Sequence, residues 1–290
     1  MASARKILVP VVLADKSRHV VQQAAWLARR LRAEIILLHV VTPLSYPASW
    51  LEDGHEITAR DLHAHIIQRA QKDLDEAMEP ELEGIAVTRL LVRGDPAREI
   101  GNVARERGAD LIVMSTRGEE FYSLLLGSVT AKVLHETDCP VWTGTHLEDA
   151  PARDFAVRRI LCSVDLKPHN RHTLSRAAEM AAAFDAALTL VHVTSSVESF
   201  GPGGSLVNKE WQKTIVDIAA GEIAKLQADV GTKAEVIIDS GNVPQALNRA
   251  AEQTNADVLV IGHIPGRSHW GDNGNGYGII RESLIPVLSV

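Results

Sequence analysis

Cysteine is nearly missing: Cys139 and Cys162 are the only two in 290 residues. Two thiols cannot build a disulfide framework, and a reducing cytoplasm is the expected setting. Aromatic residues make up 4% of the chain, which leaves little for a base-stacking surface. No apolar run approaches the ~18 residues of a membrane span. The apolar stretch ending at Pro10 is too short for a signal peptide, so no membrane association is expected. Positive charge is also scarce relative to negative. The net charge of −7 opposes a broad nucleic-acid footprint. Neither a Gly-x-Ser-x-Gly elbow nor a glycine loop followed by a phosphate-binding lysine occurs. Hydrolysis would need a positioned base and usually a metal, and the sequence names neither. The chain therefore reads as a binder, not an enzyme.

What is present is one unit written twice. Arg5-Lys-Ile-Leu-Val-Pro-Val-Val12 is answered by Arg158-Arg-Ile-Leu-Cys-Ser-Val-Asp165. Ala33-Glu-Ile-Ile-Leu-Leu-His-Val40 is answered at the same interval by Ala186-Ala-Leu-Thr-Leu-Val-His-Val193. Gly108-Ala-Asp-Leu-Ile-Val-Met114 matches Asn255-Ala-Asp-Val-Leu-Val-Ile261, and Cys139-Pro-Val141 matches Ile285-Pro-Val287. Repeats at four ordered places set the domain organisation. Domains over 1–147 and 155–290 are expected, with a polar linker at 145–157.

Each unit alternates apolar strands with amphipathic helices. In the first, strands are predicted at 6–12, 34–41, 85–92, 111–114 and from 141, with helices at 17–31, 57–78, 95–107 and 128–135. In the second, strands are predicted at 159–164, 187–193, 233–239, 258–261 and 287–290, with helices at 173–184, 206–228 and 244–254. Nearly all-apolar strands separated by helices imply an α/β fold, a doubly wound parallel sheet covered on both faces. Ligands in such sheets bind beyond the strand C-terminal ends.

One stretch lies at that edge. Leu111-Ile-Val-Met-Ser-Thr-Arg-Gly118 runs from strand into loop, and Gly127-Ser128-Val129 opens the next helix. Unpaired N–H groups at a helix start and the helix dipole suit an anion, glycine permits close approach, and serine adds a donor. A simple turn with an N-cap accounts for Gly127-Ser128 equally well.

With these residues in hand the chain resembles the universal stress protein family in its tandem two-domain form. The resemblance is carried by the Ile-Leu-Val-Pro opening, Leu-Leu-His-Val40, Gly94-Asp-Pro-Ala-Arg-Glu-Ile100, the Ala-Asp-Leu-Ile-Val-Met strand, Leu-Leu-Leu-Gly127-Ser-Val129 and Cys-Pro-Val141. It implies Rossmann-like domains of five strands, order 3-2-1-4-5, and pairing through strand 5. The two halves would then form an intrachain pseudo-dimer, with a further homodimer open. It also implies that some members bind ATP or AMP with Mg²⁺. Binders carry Gly-x₂-Gly-x₉-Gly-Ser/Thr, an Asp past strand 1, and a backbone adenine contact from the valine after the strand-2 histidine.

Neither half is complete on this pattern. In the first, Val40 fits the adenine position and Gly118, Gly127 and Ser128 match. Ser115 replaces the first glycine, the spacer is eight residues and not nine, and Val12 replaces the Asp. In the second, Asp165, Val193 and Gly262 match, but Gly266 falls one place late and Asn273-Gly274 stands where Gly-Ser would be. The first half keeps the cradle and the second keeps the acid. The resulting expectation is a cytoplasmic stress-response protein and adenine-nucleotide-binding regulator with one or both sites degenerate. The alternatives are a nucleotide-free scaffold, a carrier of a small apolar ligand, or a weak ATP hydrolase. An apolar pocket would be lined by Pro43–Leu51 and Trp211.

Other candidates have structural explanations at hand. His63 and His65, with His55, lack metal-ligand spacing and read as solvated. His169 and His172 lie near the predicted site mouth and read as loop or helix-start residues. His39 and His192 recur inside apolar strands and read as core histidines with a satisfied hydrogen bond. Cys139 and Cys162 read as buried, inert thiols.

Overall fold

The computed structural model describes residues 5–13, 17–43, 56–116, 126–144, 155–194, 209–263 and 276–290. The first half contains β1 (Lys6–Pro10), α1 (Arg18–Leu31), β2 (Glu34–Val41), α2 (Glu56–Asp75), β3 (Val87–Arg93), α3 (Pro96–Arg107), β4 (Leu111–Ser115), α4 (Ser128–Glu136) and β5 (Val141–Gly144). The second contains β6 (Arg159–Ser163), α5 (Asn170–Phe184), β7 (Ala187–Thr194), α6 (Lys209–Val230), β8 (Glu235–Ser240), α7 (Val243–Thr254), β9 (Val258–Ile261), α8 (Gly276–Glu282) and β10 (Val287–Ser289).

The strands form one sheet of ten, order β3-β2-β1-β4-β5-β10-β9-β6-β7-β8. Each half has the expected 3-2-1-4-5 order, and all pairings within a half are parallel. The one antiparallel junction joins the halves: Val287 faces Thr143, Leu288 faces Trp142 and Ser289 faces Val141. The pseudo-dimer is thus a strand-to-strand pairing that removes two exposed sheet edges.

Both sheet faces are buried, which is why the strands are almost wholly apolar. Ile7 and Val9 enter one core and Leu8 the other. Each core draws residues from both halves. On one face Trp26 packs against Phe155 and Phe184, and Phe155 meets Trp142 edge-on. Trp142 is fully buried and donates from Nε1 to Gln23 Oε1 at 2.9 Å. On the other face Tyr277 of α8 donates its hydroxyl hydrogen to the Ala131 carbonyl of α4 at 2.9 Å.

Some boundaries depart from the sequence pattern. β1 ends at Pro10, not Val12, because the Val12 N–H and C=O both turn to the Ser17 hydroxyl, at 3.0 and 3.1 Å. α5 starts at Asn170, three residues before the predicted Thr173, because the Asn170 side chain closes the preceding turn. α2 stops at Asp75. Its last turn tightens through Ala77 N to Leu74 O, and Met78 turns left-handed at φ 56°. β3 begins at Val87, not Ile85, whose N–H is taken by Leu82 O.

The repeat is also visible in its pins. Asp110 Oδ2 accepts from the N–H groups of Arg5 and Lys6, at 2.8 and 3.1 Å. Asp257 Oδ2 accepts from Arg158 and Arg159, at 2.7 and 2.8 Å. Each aspartate ties the start of its half's first strand to the neighbouring one.

Candidate functional site

In both halves the second strand ends beside the first through a histidine. His39 Nδ1 lies 2.9 Å from Val11 O, and His192 Nδ1 lies 2.7 Å from Val164 O. These half-buried rings are structural, as their place in apolar strands predicts. Each ring holds the carbonyl just past the first strand, beside the strand-end crevice where sheets of this kind bind ligands. Val40 and Val193 follow, each partly buried near the end of its strand.

In the first half the crevice continues into the start of α4. Gly127 donates its N–H to Thr116 O at 2.8 Å, and Thr130 donates its hydroxyl to Ser115 O at 2.8 Å. These two bonds dock the helix start onto the end of β4. Gly127 is the N-cap, and no side chain caps the first turn. Ser128 is exposed and Val129 half-buried. The first-turn N–H groups of Ser128, Val129 and Thr130 therefore have no intrahelical partner, the arrangement that suits an anion. Ser115, Gly127, Ser128 and Val129 are brought together; Gly118 lies outside the described residues. Thr130 is a site residue the sequence pattern did not single out. It is a buried hydroxyl residue in the first turn of α4, and its role shows only through the bond to Ser115 O.

The second half is arranged differently. Asp165 accepts from Asn170 Nδ2 at 2.7 Å and from Lys167 N at 3.2 Å, with Lys167 Nζ 3.1 Å and His169 Nε2 3.4 Å away. Leu166, at φ 58°, takes the left-handed turn that lets Lys167 N reach back. Burial pushes the Asp165 carboxyl up, but the Asn170 amide, His169 and Lys167 together hold it below the ordinary carboxylate value. The acid expected to meet a nucleoside is thus engaged by its own loop. Asn170 holds the turn that Ser17 holds in the first half, where Val12 replaces the acid. Gly262, at the end of β9, faces His169 and Thr173: a Cβ there would stand 2.7 Å from His169 Cδ2 and from Thr173 Oγ1. Gly266 and Asn273-Gly274 lie outside the described residues.

The profile of the universal stress protein family matches residues 3–143 and 156–290. The chain belongs to the universal stress protein family. Two of its members match about half of this chain over nearly their whole length. The Bacillus subtilis universal stress protein YxiE is 33% identical over 143 residues, covering 47% of this chain and 95% of its own length. A universal stress protein of Methanothermobacter thermautotrophicus is 33% identical over 141 residues, covering 47% of this chain and 92% of its own. The crystal structure of a universal stress protein from Archaeoglobus fulgidus matches 99% of this chain and 96% of its own, with TM-score 0.63 and 21% identity. That similarity supports the fold of the paired domains.

The remaining candidates resolve structurally. Burial, with Asp110 nearby, pushes the Cys139 thiol up to about 12, and burial alone does the same to Cys162. Neither is a nucleophile at neutral pH. Trp211 is 69% exposed on α6. Residues 44–51 of the proposed apolar loop, His55, and the His63 side chain lie outside the described residues. No described helix is long and apolar enough to cross a membrane.

Proposed function

We propose that this universal stress protein is an adenine-nucleotide-binding regulator whose working site is in the first half. Val40 would present its backbone to adenine, and the Gly127–Ser128 start of α4 would hold phosphate, with Mg²⁺ accompanying ATP. The observation that carries this reading is the uncapped first turn of α4, fixed to β4 by the Gly127–Thr116 and Thr130–Ser115 hydrogen bonds. Preorganised N–H groups cost nothing further to orient when an anion arrives.

The second half fits a support role. The Asp165 carboxylate is committed to Asn170, Lys167 and His169, and the space before Gly262 is taken by His169 and Thr173. The protein on this reading senses nucleotide and does not turn it over, and it acts in the cytoplasm.

The test is the melting temperature of nucleotide-stripped protein with and without ATP and Mg²⁺. Binding stabilises the native state by RT ln(1 + [L]/Kd), so a rise that follows the ATP concentration supports the reading. Ser128→Ala should reduce the rise. An unchanged melting temperature at millimolar ATP would favour the nucleotide-free scaffold.

A further inference from the structure

A second cleft lies at the opposite end of β4, away from the nucleotide crevice. It has a volume of about 420 Å³ and is formed by α3, the turn after α4, and Arg176 of the other half. The repeat shows what such a cleft can hold. In the second half the equivalent space is filled from within. Asn248 of α7 donates from Nδ2 to Glu282 O at 2.8 Å and accepts at Oδ1 from Leu284 N at 3.4 Å. One carboxamide thus spans the helix end and the turn that leads into β10.

In the first half the residue in Asn248's place is Gly101. Helix capping fixes the alignment: Asp95 and Asn242 are the N-caps of α3 and α7, and Gly108 and Asn255 are their C-caps. The turn is likewise equivalent, since Cys139 N bonds Thr137 Oγ1 as Ile285 N bonds Ser283 Oγ. A Cβ built on Gly101 meets nothing within 4 Å. The counterparts of the two bonded groups are Glu136 O and Asp138 N, and among the described residues neither has a hydrogen-bond partner. The first half therefore keeps the acceptor–donor pair and lacks the amide that joins it.

We propose that this cleft binds a free amino acid bearing a primary carboxamide side chain. Its amide N–H would donate to Glu136 O and its amide oxygen accept from Asp138 N, as Asn248 does for the second half. The rim suits the zwitterionic end of such a ligand: Arg105 would meet a carboxylate, beside Arg176, which is paired with Glu179 at 3.2 Å, and Asp110 would meet an ammonium through Oδ1, its Oδ2 being held by the Arg5 and Lys6 N–H groups. A carboxylate side chain would set an acceptor oxygen against the acceptor Glu136 O and so be rejected.

The test is an amide-resolved NMR titration of the full ¹⁵N-labelled chain with L-glutamine, and with L-glutamate as the near-isosteric control. The expected result is a saturable shift of the Asp138 amide with L-glutamine and a response to L-glutamate weaker by roughly tenfold. Gly101→Asn, which supplies the missing amide into open space, should abolish the response. Asn248→Gly should create a second responsive amide at Leu284. An Asp138 amide unmoved by tens of millimolar L-glutamine would overturn the proposal, as would equal shifts with L-glutamate or an undiminished response in Gly101→Asn. None of these outcomes depends on whether nucleotide binds at α4.

Discussion

His169 occupies the space in front of Gly262. A Cβ built on that glycine would stand 2.7 Å from the imidazole Cδ2 and 2.7 Å from the hydroxyl of Thr173, which is fully buried. Gly262→Ala must therefore displace His169 from Asp165 or push Thr173 off its place in α5. A loss of roughly 1–3 kcal/mol is expected from such overpacking, measured by urea denaturation. No loss would mean that the ring swings out freely and the second crevice opens at little cost.

Asp165 gives the second half an acid-sensitive loop. Its carboxyl is held below its ordinary value in the folded chain, so its contribution to stability is full above the unfolded value near 3.8. That contribution is lost as pH falls through the lower folded value. Asp165→Asn should flatten this acid limb in denaturation curves recorded below about pH 4, while leaving the limb above pH 5 unchanged. An unaltered acid limb would contradict the network around Asn170 and Lys167.

His263 is also shifted down, but by burial of a cation and not by partners of an anion. Burial pushes its ring down from 6.5 to about 4, with the Thr137 backbone and Asp138 opposing and His135 assisting. Between those values the unfolded chain binds more protons, so folding stability falls as pH is lowered from 6.5 towards 4. The loss is about 3 kcal/mol at most, at about 1.4 kcal/mol per unit. His263→Leu should remove this slope. Because Thr137 and Asp138 belong to the first half, the titration bears directly on how the halves are joined.

Trp142 sits at the centre of that junction, opposite Leu288, and is fully buried with its indole nitrogen held by Gln23. Trp142→Ala should cost roughly 3–5 kcal/mol. It should also split a single calorimetric unfolding transition into two, as the halves lose their shared core.

The alternation of apolar strands and amphipathic helices was legible because both sheet faces are buried, and β2 and β9 fall at their expected bounds. The strand-5 pairing followed from the family resemblance, not from any local pattern in Val141–Gly144. Site details were less legible where side chains redirect the backbone. Ser17 and Asn170 hold equivalent turns with unlike residues, one through a hydroxyl and one through an amide. Thr130 became visible as a docking residue only when its distance to Ser115 O was known. The contrast of Gly101 with Asn248 is present in the letters, but its meaning depends on a turn more than thirty residues away in each half. Tyr277 and Phe155 act across the junction, where sequence spacing carries no information.

Calorimetric titration of nucleotide-stripped protein with ATP and Mg²⁺ tests for a working nucleotide site in the first half alone. Gly127 has φ −58° and ψ 139°, a conformation open to any residue, so Gly127→Val obstructs the phosphate position without straining the backbone. The expected result is a saturable signal near one site per chain that Gly127→Val abolishes. Heat that persists undiminished in that variant, or none at millimolar ATP in the natural chain, would contradict it.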